Sequence, residues 1–519
     1  MNVLFITADQ WRGDCLSACA HACLRTPNLD TLAADGVLFR RHYAQATPCA
    51  PARASLYTGM YLHNHRVVVN GTPLDARHTN VALEVRKAGY HPALLGYTDT
   101  GADPRRHPPG DPALRSYGGV LPGMMPVIWS EQHWLAWFAD LKAKGYRIPA
   151  KFLEIFRPRE EIVDPRAGAA GRGLTFPPAR FSAEDSQQAF LTGEAIKYLS
   201  MRGRKPWFLH ISYLAPHPPF VAPAPYHDMY ASADVPRPVR AASVETEAAQ
   251  HPFLAHYLHN QRGWGIHYDH DSRNNLALSD EDILQARATY YGMASEVDAQ
   301  IGRLLDHLRA SGSYDDTLVV FTSDHGEQLG DHWQFAKYTY FDQSFHIPLI
   351  VRDPRPPADA TRGRQVDAFT ENVDIMPTIL DCLGLDLPAQ CDGESLLPFC
   401  HDLQPGRWRD AAHWEFDFRD FIADGEDRFL GLAPDRCNMS VMRDQRYKYV
   451  HFAGLPPLLF DFQEDPQELR DLAGDAGHRS LLLEYTRRML SWRMTHDERV
   501  LANTHLTADG VRITKPPRY

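Results

Sequence analysis

The sequence is poor in several features that mark particular classes of protein. Eight cysteines among 519 residues are too few for a small fold held together by disulfides. A formal charge of -11 excludes the basic surface that nucleic-acid binding needs. No run of 18 apolar residues is present, which argues against a membrane-spanning helix, and no basic leader or apolar signal segment follows Met1. These absences predict a soluble, cytoplasmic protein without a nucleic-acid or membrane partner.

The length of the chain predicts more than one folding unit. Hydrophobic residues make up 44% of the 519 residues, which is ample for a large core, and single cores stop growing at about 250–300 residues. We therefore predict a catalytic α/β domain over residues 1–411 and a smaller α+β subdomain over residues 412–519. Stretches near 101–180 and 251–275 have the composition of long insertions, which usually cover a site or form an interface.

Short apolar runs bounded by polar residues predict the buried strands of a large, mostly parallel sheet flanked by helices. They lie at 2–7, 208–212, 317–322 and 348–351. An apolar stripe over 297–308 predicts a helix that ends before Ser311. In the tail, runs at 447–452 and 458–461 predict antiparallel strands, and 481–492 predicts a helix.

Two of these predicted strands, from opposite ends of the chain, run directly into polar pairs. Asp9 and Gln10 follow the first strand, and Asp324 and His325 follow the strand at 317–322. Each pair alone is explained by a helix cap or a turn. Together they offer two carboxylates, an amide oxygen and an imidazole, which predicts one divalent cation, with Mn²⁺ favoured and Ca²⁺ the alternative.

Cys49 is the cysteine whose position is most suggestive. A helix predicted over 56–61, beginning just after Arg53, places Cys49 at or near a helix N-terminus, where an anion is favoured. From the residues alone, Cys49 could be a buried thiol, a nucleophile of the cysteine-protease kind or a modified residue.

Other cysteines and histidines show no convincing ligand pattern. The spacing of Cys15, Cys19 and Cys23 is helical, but we predict a structural role for all three. A histidine-rich stretch also lacks ligand spacing; its histidines are His251, His256, His259, His267 and His270.

The segment Cys49-Ala50-Pro51-Ala52-Arg53, followed by Thr58-Gly59, resembles the sulfatase signature. The resemblance extends to 6–10, to 323–332 with Lys337 beyond, and to the tail at Asp465-Pro466. It therefore covers nearly the whole chain and implies the large parallel sheet of the alkaline phosphatase superfamily. It also implies that a maturation enzyme oxidises Cys49 to formylglycine, whose hydrate attacks the ester with one hydroxyl and expels the bound group with the other.

Within that superfamily, Gln10 and His325 depart from the Asp-Asp and Asp-Asn pairs that are usual in calcium sulfatases. These departures resemble the phosphonate monoester hydrolases and related cytoplasmic arylsulfatases, which act on sulfate esters, phosphonate monoesters and phosphodiesters. The resemblance implies that the metal ligands are Asp9, Gln10, modified Cys49, Asp324 and His325.

The same resemblance implies roles around the metal. Arg53 would steady the formylglycine, Lys337 would stabilise negative charge, and His217 would protonate the leaving group. Asn70 and Tyr97 match positions that contact substrate.

Those hydrolases have a threonine-rich segment after the tyrosine, whereas this chain has Asp99 there. An acid at this position would repel an anionic ester. Either Thr98 or Thr100 makes the substrate contact while Asp99 points away, or the substrate carries a positive or hydroxylated group.

We therefore expect an arylsulfatase with promiscuous phosphonate monoester and phosphodiester activity, the alternative being an enzyme whose main activity is on phosphonates or phosphodiesters. A phosphatase or phosphomutase with a serine or threonine nucleophile would need a second set of metal ligands, which the sequence does not offer. A non-catalytic member of the fold would keep Cys49 as a thiol. The resembled hydrolases are oligomers, so we also expect a homodimer or homotetramer.

Overall fold

The computed structural model describes the chain except for residues 117, 131–133, 158–172, 204, 261–265, 267–274, 420–429, 499 and 514–519. His267 and His270 thus lie outside the described residues. No helix among the described residues is both long and apolar enough to cross a membrane.

The strands, in chain order, are β1 (Asn2–Ala8), β2 (Val37–Phe39), β3 (His42–Tyr43), β4 (Ala46–Thr47), β5 (Ala93–Gly96), β6 (Met125–Trp129), β7 (Phe208–Tyr213), β8 (Thr317–Thr322), β9 (His346–Ile347), β10 (Leu349–Arg352), β11 (Arg364–Val366), β12 (Thr370–Glu371), β13 (Ala411–Asp417), β14 (Asn438–Asp444), β15 (Tyr447–Phe452), β16 (Leu458–Asp461), β17 (Thr504–Thr507) and β18 (Gly510–Ile513). The α-helices are α1 (Pro27–Ala34), α2 (Cys49–Thr58), α3 (Leu62–His65), α4 (Val81–Lys87), α5 (Leu135–Ala143), α6 (Gln187–Ser200), α7 (Val244–Ala248), α8 (Pro252–Asn260), α9 (Asp280–Ala310), α10 (Asp342–Phe345), α11 (Ile375–Cys382), α12 (Leu397–Cys400) and α13 (Arg479–Thr495).

An eight-stranded sheet in the order β11-β2-β10-β8-β1-β7-β5-β6 forms the centre of the molecule. All of its neighbouring pairs are parallel except those made by β10, which runs opposite to β8 and β2. Successive residues of β1 pack into different cores, with Leu4 and Ile6 on one face and Val3 and Phe5 on the other. Burial of both faces explains why these strands are continuous apolar runs. The predicted mostly parallel α/β sheet is confirmed.

Helix α9 packs along this sheet and shows how local sequence sets the ends of an element. It begins with a capping box between Ser279 and Asp282 and ends at Ala310, where Ser311 is the C-cap. The predicted end is confirmed, although the helix starts well before the apolar stripe at 297–308.

The two stretches interpreted as insertions contain regular elements. The first contributes β6, the edge strand of the central sheet, and helix α5. The second includes the whole of α8. The sequence analysis did not predict β6, because this strand is completed only by its pairing with β5, which is distant in sequence. The interpretation of both stretches as insertions stays a prediction.

A second sheet of five strands, in the order β16-β15-β14-β13-β4, lies towards the C-terminus. Its antiparallel strands and helix α13 confirm the elements predicted for the tail. Strand β4, which lies just before Cys49, pairs in parallel with β13 through Ala46 and Thr47. The C-terminal sheet therefore holds the segment that leads into Cys49. The division at residue 411 stays a prediction, and it falls at the first residue of β13.

Candidate active site

The carboxyl ends of β1 and β8 deliver the polar pairs to one place. The two strands are parallel neighbours, with Thr7 opposite Thr322, so the residues that follow them leave the sheet at the same edge. The backbone N–H of Gln10 donates to Oδ1 of Asp324 at 3.1 Å. The sequence-based inference that these two sites coincide is confirmed.

Cys49 is the first residue of α2, seven residues before the start predicted at Leu56, so the helix boundary was wrong. The placement of Cys49 at a helix N-terminus is confirmed. Its Sγ lies 3.2 Å from Nε2 of His325 and 3.4 Å from Nζ of Lys337. Burial, reinforced by the charge of Asp9, raises the pKa of the Cys49 thiol well above its ordinary value. A buried thiol of raised pKa is a poor nucleophile, which argues against direct attack by cysteine.

Arg53 lies at the centre of the acidic residues. Its guanidinium donates from Nε to Oδ2 of Asp324 at 2.9 Å and from Nη2 to Oδ2 of Asp9 at 3.1 Å. The group is 1% exposed, so its charge is poorly screened and holds two buried carboxylates side by side. Its role towards formylglycine stays a prediction, whereas its pairing with both acids is direct.

The donor atoms of Asp9, Cys49, Asp324 and His325 all lie within 4.8 Å of one another. Oδ1 of Asp9 is buried and has no hydrogen-bond partner among the described residues. Burial and the neighbouring Asp324 raise the pKa of Asp9. A divalent cation would supply the missing partner and relieve this repulsion, so the residues fit a metal site.

His325 presents the nitrogen that a metal ligand needs. Its Nδ1–H donates to the carbonyl of Gly326 at 3.1 Å, which leaves the lone pair of Nε2 facing Cys49 and the two acids. Burial and the charge of Lys337 lower the pKa of His325 to about 4, against the opposing carboxylates. The imidazole is therefore neutral at ordinary pH, and a backbone acceptor fixes its tautomer.

Glu327 is a residue of this site that the sequence analysis missed. Its carboxylate accepts a hydrogen bond from Nε2 of Gln10, so the amide oxygen of Gln10 faces the other way, where it accepts from Nζ of Lys337 at 2.7 Å. Glu327 thus sets which atom of Gln10 faces the cation position. In the sequence, only its position three residues after Asp324 indicated a place near the site. An acidic residue in a solvated loop would occupy such a position equally well.

Lys337 is 3% exposed and lies against both Gln10 and Cys49. The preceding loop turns tightly, with Leu329, His332 and Ala336 at φ values of 52°, 53° and 67°. These conformations are unfavourable for residues with a side chain, and contacts such as that of Arg287 Nη1 with the carbonyl of Leu329 at 2.8 Å hold them. The structure therefore places Lys337 beside Cys49, and its role in stabilising negative charge stays a prediction.

His217 lies near the site in a proline-rich loop. Its Nδ1–H donates to the carbonyl of Pro218 at 2.6 Å. Burial and the charge of Lys337 lower the pKa of His217 to about 3, although Asp324 acts in the opposite direction. The ring is neutral in the free protein, with Nε2 as the only site that can gain a proton.

Tyr97 and Asn70 hold the site together. The Tyr97 hydroxyl donates to Oδ2 of Asp9 at 2.5 Å, and the Arg53 guanidinium lies 4.3 Å from the centre of the Tyr97 ring. Oδ1 of Asn70 accepts from the backbone N–H of Ala50 at 2.9 Å, in the first turn of α2. Both side chains therefore have partners in the free protein.

The segment after Tyr97 differs from the first expectation. The Thr98 hydroxyl donates to Gly119 at 3.0 Å and accepts from the N–H of Leu121 at 2.8 Å, and the Thr100 hydroxyl bonds to Thr98. Loop contacts engage both hydroxyls in the free protein, and the substrate contact expected of one of them stays a prediction. Asp99 does not point away: its Oδ2 lies 3.9 Å from Nε of Arg53.

Within the described part of the chain, Asp9, Cys49, Asp324 and His325 form the one group of His, Cys, Asp and Glu residues with metal-ligand spacing. Cys15 is buried and Cys19 and Cys23 are half-buried, all as free thiols. The structural role predicted for these three cysteines stays a prediction.

Comparison with known proteins agrees with the geometry. The sulfatase family model matches residues 1–385, and the model of the C-terminal part of N-sulphoglucosamine sulphohydrolase matches residues 330–495. The chain is 44% identical over 516 residues to the multifunctional alkaline phosphatase superfamily protein PehA of Trinickia caryophylli, covering 98% of each chain.

Two solved structures are similar over the whole fold. The phosphonate monoester hydrolase of Agrobacterium radiobacter superposes with a TM-score of 0.92 at 46% identity, covering 99% of this chain and 100% of that one. The phosphonate monoester hydrolase of Silicibacter pomeroyi superposes with a TM-score of 0.90 at 39% identity, covering 99% of each chain. The chain therefore belongs to the sulfatase family of the alkaline phosphatase superfamily, and it is a hydrolase similar to phosphonate monoester hydrolases.

Proposed function

We propose that this hydrolase cleaves phosphonate monoesters, phosphodiesters and aryl sulfate esters at one site, through a formylglycine made from Cys49 and with one divalent cation. The observation that carries the proposal is the grouping of Cys49 with Asp9, Asp324 and His325 within 4.8 Å. The sequence motifs favour aryl sulfates, whereas the similarity to two phosphonate monoester hydrolases at 46% and 39% identity favours phosphonates.

The cation would be held by Asp9, Gln10, Asp324, His325 and the modified residue 49. An imidazole and an amide beside two carboxylates favour Mn²⁺ over Ca²⁺. When bound, the cation would polarise the ester and neutralise charge on its oxygens. Formylglycine, once hydrated, supplies a geminal diol whose two hydroxyls serve for attack and for release.

The protein's own residues provide the remaining electrostatics. Lys337 places a buried ammonium group 3.4 Å from Sγ of Cys49, where it can stabilise the nonbridging oxygens of an ester attacked at residue 49. Arg53 holds Asp9 and Asp324 in place and favours their ionised forms, since it bonds to both.

His217 is proposed as the acid that protonates the leaving oxygen. Its Nδ1 is committed to Pro218, so the proton must come from Nε2. Burial and Lys337 lower the pKa of His217 to about 3 in the free protein. A bound dianionic transition state would oppose both effects and favour the protonated ring.

Two alternatives are less well supported. A two-metal phosphatase would need a second group of metal ligands, whereas the described residues contain a single such group. A non-catalytic protein would have no use for a buried lysine and an unpartnered carboxylate oxygen beside the thiol.

Mass spectrometry of the peptide that contains Cys49 tests the chemistry directly. After co-expression with a formylglycine-generating enzyme, we expect the mass loss that accompanies replacement of the thiol by an aldehyde oxygen. The peptide with Cys23, also a free thiol, should remain unmodified. We expect Cys49→Ala to abolish turnover and Cys23→Ala to retain it. An unmodified Cys49 in an active preparation would refute the proposal.

Side-by-side kinetics on aryl esters with the same leaving group would rank the substrates. We expect the ratio of kcat/KM to favour the phosphonate monoester over the sulfate. The opposite order would restore the arylsulfatase assignment without changing the nucleophile.

A further inference from the structure

Asp99 is a carboxylate at the site that none of the roles above uses. Its side chain is 13% exposed, and its Oδ2 lies 3.9 Å from Nε of Arg53, beyond hydrogen-bond distance. Among the described residues it has this ion pair and no hydrogen bond to its carboxylate. Its neighbours Tyr97 and Thr98, in contrast, are both engaged.

The backbone builds this position. Asp99 has a φ of 47°, in the left-handed region, which aspartate and asparagine tolerate better than most residues with a side chain. In this backbone conformation the Thr98 hydroxyl faces Gly119 and the Asp99 carboxylate faces Arg53. The orientation of the acid therefore follows from the fold of the loop.

Arg53 does not neutralise Asp99. Its Nε and Nη2 already donate to Asp324 and Asp9, at 2.9 and 3.1 Å. The single guanidinium of Arg53 therefore faces three carboxylates. Burial, with Asp9 and Asp324 adding to it, raises the pKa of Asp99 to about 7 against the effect of Arg53. A positive group next to Asp99 would stabilise its ionised form.

The site is consequently dipolar. Lys337 lies at Cys49, where an anionic ester must react, whereas the solvent-accessible part of Asp99 offers negative charge without a bonded partner. An anionic ester with a purely apolar organic group would meet repulsion at Asp99, and a cationic organic group would meet attraction.

We propose that Asp99 is a specificity-determining residue that selects zwitterionic esters, in which an ammonium group lies a few ångströms from the anionic phosphorus or sulfur centre. The inference rests on the proposed function, because it takes the anionic ester to lie at residue 49. The ammonium group would pair with Asp99 while Lys337 faces the ester oxygens.

Two 4-nitrophenyl phosphodiesters test this inference. In one the second alcohol is 2-(trimethylammonio)ethanol, and in the other it is 3,3-dimethylbutanol, which has the same shape and no charge. We expect wild-type kcat/KM to favour the cationic diester by about tenfold, the size of one partly desolvated charge pair. Asp99→Asn should bring this ratio close to one, because it removes the attraction between Asp99 and the ammonium group.

Asn is the right replacement because it also tolerates a positive φ, and Asp99→Gly serves as a second neutral variant at this backbone position. Asp315→Asn is the matched control, because the Asp315 side chain is 95% exposed. Asp315 precedes the start of β8, whereas the site follows the end of this strand, so the two are separated by the length of the strand, about 20 Å. This control should keep the wild-type ratio.

Binding of both diesters to Cys49→Ala protein, with and without Asp99→Asn, gives the same comparison without turnover. Equal wild-type binding and turnover of the two diesters, or a preference that survives Asp99→Asn, would overturn the role of Asp99. Failure to cleave a neutral aryl phosphonate would instead contradict the proposed function, while the binding preference would still decide the role of Asp99.

Discussion

The amide of Gln10 is oriented by Glu327, and replacing Glu327 by Gln should weaken cation binding. Oε2 of Glu327 accepts from Nε2 of Gln10, while Oε1 accepts from the backbone N–H groups of Leu329 at 3.0 Å and Ala336 at 2.6 Å. The replacement has nearly the same volume but can keep only one oxygen. It must therefore choose which of these partners to satisfy.

The energies favour one choice. Turning the new NH₂ group towards two buried backbone N–H groups would cost about 1–3 kcal/mol for each unsatisfied donor. The oxygen therefore stays on the backbone, and the NH₂ group faces Gln10. In the wild type, the Gln10 oxygen accepts a hydrogen bond from Lys337 at 2.7 Å. In the variant, Gln10 must turn this oxygen away from Lys337 and present its NH₂ group to the cation.

This rotation removes a ligand oxygen and a charge-assisted hydrogen bond worth about 1.5–3 kcal/mol. Changes of this kind around a metal ligand lower metal affinity about 10–100-fold. We expect Mn²⁺ titrated calorimetrically into metal-depleted protein to show this loss for Glu327→Gln. The thermal shift produced by Mn²⁺ should shrink in parallel.

Glu247→Gln is the control, because Glu247 is also fully buried and accepts hydrogen bonds from His332 and the N–H of Ala241. Both variants should lose stability, but the control should bind Mn²⁺ like the wild type. Wild-type affinity in Glu327→Gln, or the same loss in both variants, would refute the reasoning.

Two further predictions concern buried charge. Arg53→Met should destabilise the metal-free protein by about 3–5 kcal/mol, because it leaves Asp9 and Asp324 without the guanidinium that they share. In denaturant unfolding, Mn²⁺ should restore part of this stability, and an equal loss with and without Mn²⁺ would count against a metal site between the acids. His210 is fully buried, and burial lowers its pKa to about 3, so below pH ~6.5 the unfolded chain gains a proton that the native ring refuses. Between pH 6.5 and 5, the wild type should therefore lose about 1.7 kcal/mol of unfolding free energy relative to His210→Gln. An unchanged difference in unfolding free energy between the two proteins would show that burial does not set this pKa.

Much of the fold could be predicted because its determinants are local. Strands β1 and β8 are buried on both faces, so their sequences are continuous apolar runs with polar residues immediately after them. Helix α9 ends where its stripe ends. The edge strand β6 was missed because three of its five residues are exposed, and its sequence lacks the pattern of a buried strand.

The candidate site divides in the same way. The sequence alone determined that Asp9, Gln10, Asp324 and His325 follow strands and that Cys49 lies in a sulfatase-like signature, since each of these features depends on neighbouring residues. The tertiary structure decided whether the oxygen or the NH₂ group of the Gln10 amide faces the cation position, through Glu327.

The structure also decided that Asp99 faces Arg53 while Thr98 turns to Gly119. That orientation depends on a left-handed φ and on partners far away in sequence. No local pattern encodes either one, because the same residues in another loop conformation would exchange their directions.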